Sequence, residues 1–306
     1  MATLKNPFLT LKARLVVLVF FAISIGLALV FGVLGTLGLL PLQLNDPIVA
    51  PLLYSLIFGG LCLLVMMVAR RPPIHLGDLV GRWPPHLTGG SLMVVVVSVF
   101  LFSLGAFQLS YLALALVAPT LVESTLQQSL LLASDATAYP HFYTGLMMFT
   151  VLVVAPVTEE FIFRGILLHR WGIKWGVRPA ILLTSVLFGV LHSNLVGLFV
   201  FGLVMALLYL SSRSLLVPIV AHSMNNAIAS GIEFFTLRAS RAMPTDTLAD
   251  FQASWWLGVI CLTVSAPWLW RYLQQHWPQA QTQLPYFANQ NHNSARANGF
   301  LPPEDR

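Results

Sequence analysis

Eight apolar runs, most of them about 20 residues long, fill most of this 306-residue chain. That is the length a helix rising 1.5 Å per residue needs to cross about 30 Å of hydrocarbon. The runs fall at residues 15–40, 51–69, 90–118, 143–168, 179–194, 195–210, 215–235 and 255–272. Only 9% of the residues are charged and 57% are apolar, whereas soluble domains carry about 25% charged residues to face water. The expectation is an all-α fold, a polytopic transmembrane helical bundle of about eight spans, whose surroundings are the lipid bilayer.

A net charge of +5 does not point to nucleic acid. The basic residues stand at the ends of apolar runs and form no stripe with interleaved aromatics. Their distribution instead sets an orientation. With a cytosolic N-terminus, eight crossings place every Lys and Arg except Arg238 and Arg241 on the inner side or at inner helix ends, as the positive-inside rule requires. Both termini are therefore expected in the cytosol. The first run, after Lys5, Lys12 and Arg14, reads as a retained anchor, being too long for a signal-peptide core. The tryptophans cluster near span ends, as belt residues do, and His75, His86, His141, His169 and His276 also read as interfacial. Cys62 and Cys261 lie far apart in apolar segments and suggest buried thiols, neither a disulfide nor a metal knuckle.

The chain divides without a second folded domain. Residues 1–142 hold the N-terminal membrane helices and an outer interfacial segment at 119–142. Residues 143–235 hold the helices that carry ionisable groups, and 236–276 an outer loop and the last span. Residues 277–306, rich in Asn, Gln and Pro, are expected to be a disordered cytosolic tail, too poor in apolar surface to fold.

Ionisable groups inside spans cost about 2.5–3.5 kcal/mol each at a helix centre, so they must face one another or water. One span ends in Glu159-Glu160-Phe161-Ile162-Phe163-Arg164, the next polar span carries Phe188 and His192, and a third carries His222 and Asn226. At 3.6 residues per turn Glu160 and Arg164 share a face and can pair, while Glu159 points about 100° away. One carboxylate is thereby neutralised and helps hold the helix. The other, Glu159, is left free for general base work. Phe188 stands one turn from His192 and can fix its ring, and His192 can share a water with Glu159. His222 and Asn226 stand one turn apart and offer N–H donors to an oxyanion. Gly197 and Gly202 read as close-packing positions, and Asn225, out of phase with His222, as interhelical glue.

Glu159-Glu160-x-x-x-Arg164, Phe188-x-x-x-His192 and His222-x-x-x-Asn226 resemble the three motifs of the CPBP family, which comprises the type II CAAX prenyl proteases and related bacteriocin-processing and immunity proteins. The resemblance covers roughly residues 148–230. It implies an eight-helix intramembrane endopeptidase in which Glu159 and His192 activate water, His222 and Asn226 form the oxyanion hole, and Glu160, Arg164 and Phe188 give structural support. The substrate is expected to be a peptide or membrane protein, and the base is expected to work near the cytosolic leaflet, because Glu159 lies in the last third of its run. The compact chain suggests a bacterial plasma membrane.

No H-E-x-x-H occurs, so an obligatory metal is not expected. Zn²⁺ is the alternative, held by Glu159, His192 and His222. A rhomboid-type serine protease is disfavoured by the lack of Gly-x-Ser-Gly, and an aspartyl protease by the lack of aspartate within a span. Two other readings stand beside the enzyme. One is a non-proteolytic immunity or scaffold protein of the same family. The other is a proton-coupled transporter, for which the paired, broken spans of two related halves are missing.

Overall fold

The computed structural model describes residues 6–40, 43–69, 73–127, 132–240 and 247–297. Arg241 and the end of the tail lie outside them. Each apolar run carries a helix: α1 (Ala13–Thr36), α2 (Val49–Val68), α3 (Gly89–Ala115), α4 (Pro140–Trp175), α5 (Val177–Val190), α6 (Leu195–Ser212), α7 (Leu216–Ser240) and α8 (Trp255–His276). No β-strand occurs among the described residues. Among the described residues five helices, α1, α2, α3, α4 and α6, are long and apolar enough to cross a membrane. The molecule is an integral membrane protein built as an all-α bundle.

The helices are apolar for two different reasons. On α6, Phe201 to Leu210 are buried without a break, because α6 packs against α3, α5 and α7 at once. A helix apolar all round and enclosed in this way is core. On α1, Leu18 and Leu29 are more than 60% exposed, and the helix packs mainly against α2. Such a face would be a liability in water and carries no penalty in lipid. Where α3 crosses α8, a Cβ on Gly105 would stand 2.7 Å from the Gly258 carbonyl oxygen, so these backbones meet only because both positions lack side chains. Gly202 plays the same part on α6, where a Cβ would meet the Ser185 backbone at 3.0 Å, as its reading from sequence anticipated.

α4 is one rod of 36 residues, about 54 Å long at 1.5 Å per residue. It contains two wide π turns, Thr150–Val154 and Phe161–Leu167, on either side of the two glutamates. Such turns recur at functional sites because they re-phase the side chains beyond them. α5, by contrast, has only 14 residues, or about 21 Å, and cannot cross the hydrocarbon alone. The backbone groups of the α5–α6 turn that follows it are satisfied by protein, as groups shielded from water require. Asn194 does much of this: its Oδ1 accepts from Gly197 N–H at 3.1 Å, and its Nδ2 donates to the Ser103 carbonyl at 2.8 Å. Tyr111 O–H donates to the Ser193 carbonyl at 3.3 Å.

The tail differs from its expected disorder. Residues Pro285–Ala297 form α9, and Tyr286 is buried. The reason is a local apolar and hydrogen-bonded seat that composition does not reveal. His169, expected at the interface, is fully buried, stacks on Phe8 at 4.7 Å and accepts the Tyr286 N–H at its Nε2 at 3.2 Å. Asn289 donates to the carbonyls of Asp78 and Arg213, both at 2.9 Å. The segment after α2, the α6–α7 turn and the tail thus meet at one end of the bundle. Lys12, Arg170, Lys174 and Arg213 are at this end, while Asp46, tied to Thr137 at 3.0 Å, is at the other.

Candidate active site

Glu160 and Arg164 occupy the centre of the bundle, 0% and 1% exposed, with Arg164 Nη1 donating to Glu160 Oε1 at 2.9 Å. The expected pair is formed. Arg164 Nη2 also donates to the Gly202 carbonyl at 3.1 Å, and the guanidinium carbon lies 4.9 Å from the Phe188 ring centroid. Glu160 does more than neutralise Arg164. Its Oε1 also meets His222 Nδ1 at 3.0 Å. A carboxylate paired with arginine only accepts, so His222 carries its proton on Nδ1 and turns Nε2 outward.

That Nε2 stands 4.0 Å from Glu159 Oε2, a separation one water can bridge. Oε2 is buried and has no hydrogen-bond partner among the described residues. Glu159 is not wholly free, as the sequence suggested: Tyr54 O–H donates to its other oxygen at 2.5 Å. Tyr54 comes from α2, in a part of the chain where no functional feature was expected. The available signal was physical, since a tyrosine hydroxyl within a span needs a partner. Its neighbour Ser55 reaches Thr150 on α4 at 3.2 Å, so α2 is tied to the helix that bears the glutamates.

His192 lies on the turn after α5. Its Nδ1 is 2.6 Å from the Phe188 carbonyl, which can only accept, so its Nε2 is unprotonated in the neutral ring. Phe188 stacks on it at 4.6 Å, as expected, and is also 6.0 Å edge-on from His222. One ring therefore braces both histidines and the guanidinium. Asn226 donates its amide to the Val151 carbonyl at 2.9 Å. That carbonyl is spare for a reason legible in the chain. In the π turn Ala155 N–H bonds to Thr150, and the next residue, Pro156, has no N–H to give. Asn226 thus serves in part as interhelical glue and keeps one N–H in hand. Asn225, read as glue, instead has its Oδ1 buried without a partner.

Glu159, His192, His222 and Asn226 all line one cavity of about 460 Å³, together with Tyr54, Thr150, Ser230 and Glu233 and an apolar wall that includes Pro51, Met147 and Leu198. Glu233 is a second residue that the sequence reading passed over, although an ionisable group in a span is a functional candidate by default. Glu159 precedes Trp171, at the cationic end, by twelve residues, or about 18 Å of helix. Pro51, Met147 and Leu198 continue the cavity toward the opposite end, because α2 and α6 begin there.

Among the described residues no three His, Cys, Asp or Glu side chains gather closely enough to hold a metal ion. Glu159, His192 and His222 share a cavity but are not arranged as a coordination sphere.

These features define a membrane-embedded helical protein with a buried carboxylate–imidazole site. Residues 141–228 match the family model described as Type II CAAX prenyl endopeptidase Rce1-like. The chain is 37% identical over 84 residues to a Bacillus subtilis protein named "Putative membrane peptidase YdiL", covering 26% of this chain and 34% of that one. It is 34% identical over 85 residues to an Escherichia coli protein named "Uncharacterized 24.3 kDa protein", covering 25% and 39%. The likeness thus spans little more than a third of either relative. No solved structure matches. The matched segment holds all three motifs, and the resemblance to the CPBP family is borne out there.

Proposed function

We propose that this chain is an intramembrane endopeptidase that hydrolyses a peptide bond with a water activated by Glu159. The observation that carries the reading is the buried, unpartnered Oε2 of Glu159, facing His222 Nε2 across 4.0 Å in a cavity that His192 and Asn226 also line. A water between these atoms gives its proton to Glu159 as it attacks the substrate carbonyl. The remaining N–H of Asn226 meets the developing oxyanion. Glu159 then returns the proton to the leaving amine, and the products are a carboxylate and a free amino group. His222 orients the water through the Nε2 lone pair, and Glu160 fixes its ring. It can donate to the oxyanion, the role implied by resemblance, only as an imidazolium, which Glu160 would stabilise as it forms. His192 presents a second Nε2 acceptor to the water or to the substrate amide. The positive-inside rule supports reading the cationic end as inward, with both termini cytosolic, and the membrane as a bacterial plasma membrane.

The substrate is a peptide or membrane protein whose scissile bond reaches mid-bilayer depth. Membrane proteomes of wild-type and Glu159→Gln cells, compared for new N-termini, test this: precursors accumulating in the variant are expected, and identical proteomes would count against it. No step is routed through a metal. Hydrolysis by the purified protein is accordingly expected to be unchanged by 1,10-phenanthroline. Abolition that zinc then restores would overturn the metal-free step.

A further inference from the structure

At the end of the bundle away from the cavity, the start of α1 meets the end of α4. Lys12, Arg14, Arg170 and Lys174 surround a space of about 280 Å³ whose walls include Trp171 and Trp175. The first turns of the chain are pinned there by Phe8, stacked on His169 at 4.7 Å. None of the four cations has an ion pair among the described residues. Arg170 and Lys174 stand one turn apart, a like-charged arrangement that destabilises a helix unless an anion intervenes. Lys174 gains only the Trp175 ring, 4.5 Å from Nζ to the centroid, and the favourable end of the helix dipole.

We infer that this space binds the anionic head group of a phospholipid, a site separate from the proposed peptidase centre. The shared chemistry is a phosphate oxyanion held by guanidinium and ammonium donors. Two features favour a lipid over free phosphate. Trp171 and Trp175 mark the head-group level of the membrane. Leu18, one turn along α1 from Arg14, is 63% exposed and offers an apolar track along which an acyl chain can lie. Basic pockets between transmembrane helices on the cytosolic side bind such lipids for the same reasons. A bound lipid would join the chain's first helix to the last turns of the rod that carries Glu159.

The test is native mass spectrometry of the full chain in detergent, titrated separately with phosphatidylglycerol, phosphatidylcholine and inorganic phosphate. Phosphatidylglycerol is expected to bind the wild type far more tightly than phosphatidylcholine. The double variant Arg170→Gln/Lys174→Gln should weaken its binding by roughly 30-fold. Lys12→Gln/Arg14→Gln, on the other wall and outside the helix core, should do the same and guards against misfolding of the first variant. Arg271→Gln, an exposed cation of α8 outside the pocket, should change nothing. Equal binding of the two lipids, or undiminished phosphatidylglycerol binding by both double variants, would overturn the site. Displacement of the lipid by inorganic phosphate at equal concentration would overturn the lipid assignment in favour of the free anion.

Discussion

Replacing Glu159 with Gln is expected to slow peptide hydrolysis about 10²–10⁴-fold, the usual contribution of a positioned general base, with little change in stability. The amide is nearly isosteric, and its oxygen can still accept the Tyr54 hydroxyl that now reaches Glu159 at 2.5 Å. What it cannot do is take a proton from water. The check is the initial rate in liposomes for purified protein, with helical content and chromatographic behaviour measured alongside. Tyr54→Phe should lose far less, since it removes only a hydrogen bond to the oxygen turned away from His222. Processing that survives Glu159→Gln would leave the chain as a binding or immunity protein that has kept the geometry of a site without using it.

Arg164→Met is expected to be the most damaging single change to the fold, costing roughly 3–5 kcal/mol, because it strands a buried carboxylate. Glu160 is 0% exposed, and one of its oxygens already has no hydrogen-bond partner. With Arg164 gone, Glu160 would keep the His222 contact at 3.0 Å, and the Gly202 carbonyl would lose the Arg164 donor. Thermal unfolding in detergent reads the loss. Removing both charges, as Glu160→Gln/Arg164→Met, should recover much of the stability, since the desolvation cost disappears with the pair. Activity should not recover with it, because His222 would have lost the carboxylate that fixes its tautomer. A double variant no more stable than the single one would show that the pair stabilises the bundle by more than charge compensation.

Much of this was legible because helical period acts locally. The Glu160–Arg164 pair and the stacking of Phe188 on His192 follow from a spacing of four, and the apolar runs gave the helices. Relations between helices were not legible. Tyr54 meets Glu159 from 105 residues away, and nothing in the pitch of either helix announces it. The approach of His222 to both glutamates is likewise a relation between α7 and α4, and of the two π turns that flank those glutamates local sequence marks only one, through Pro156. The run read at 143–168 is shorter than the rod that forms, Pro140–Trp175, so Glu159 falls near the middle of its helix and not in the last third. The tail was misjudged because its polar composition conceals Tyr286 and Asn289, whose hydrogen-bond partners His169, Asp78 and Arg213 lie 76 to 211 residues upstream.

The central claim is that one water, held by Glu159 against His222, becomes part of a cleaved peptide. Mass spectrometry of products formed by the reconstituted protein in ¹⁸O-labelled water tests it most directly. The account predicts a new C-terminal carboxylate carrying one solvent oxygen, formed by the wild type and lost with Glu159→Gln. Equal yields of labelled product from both proteins would contradict it.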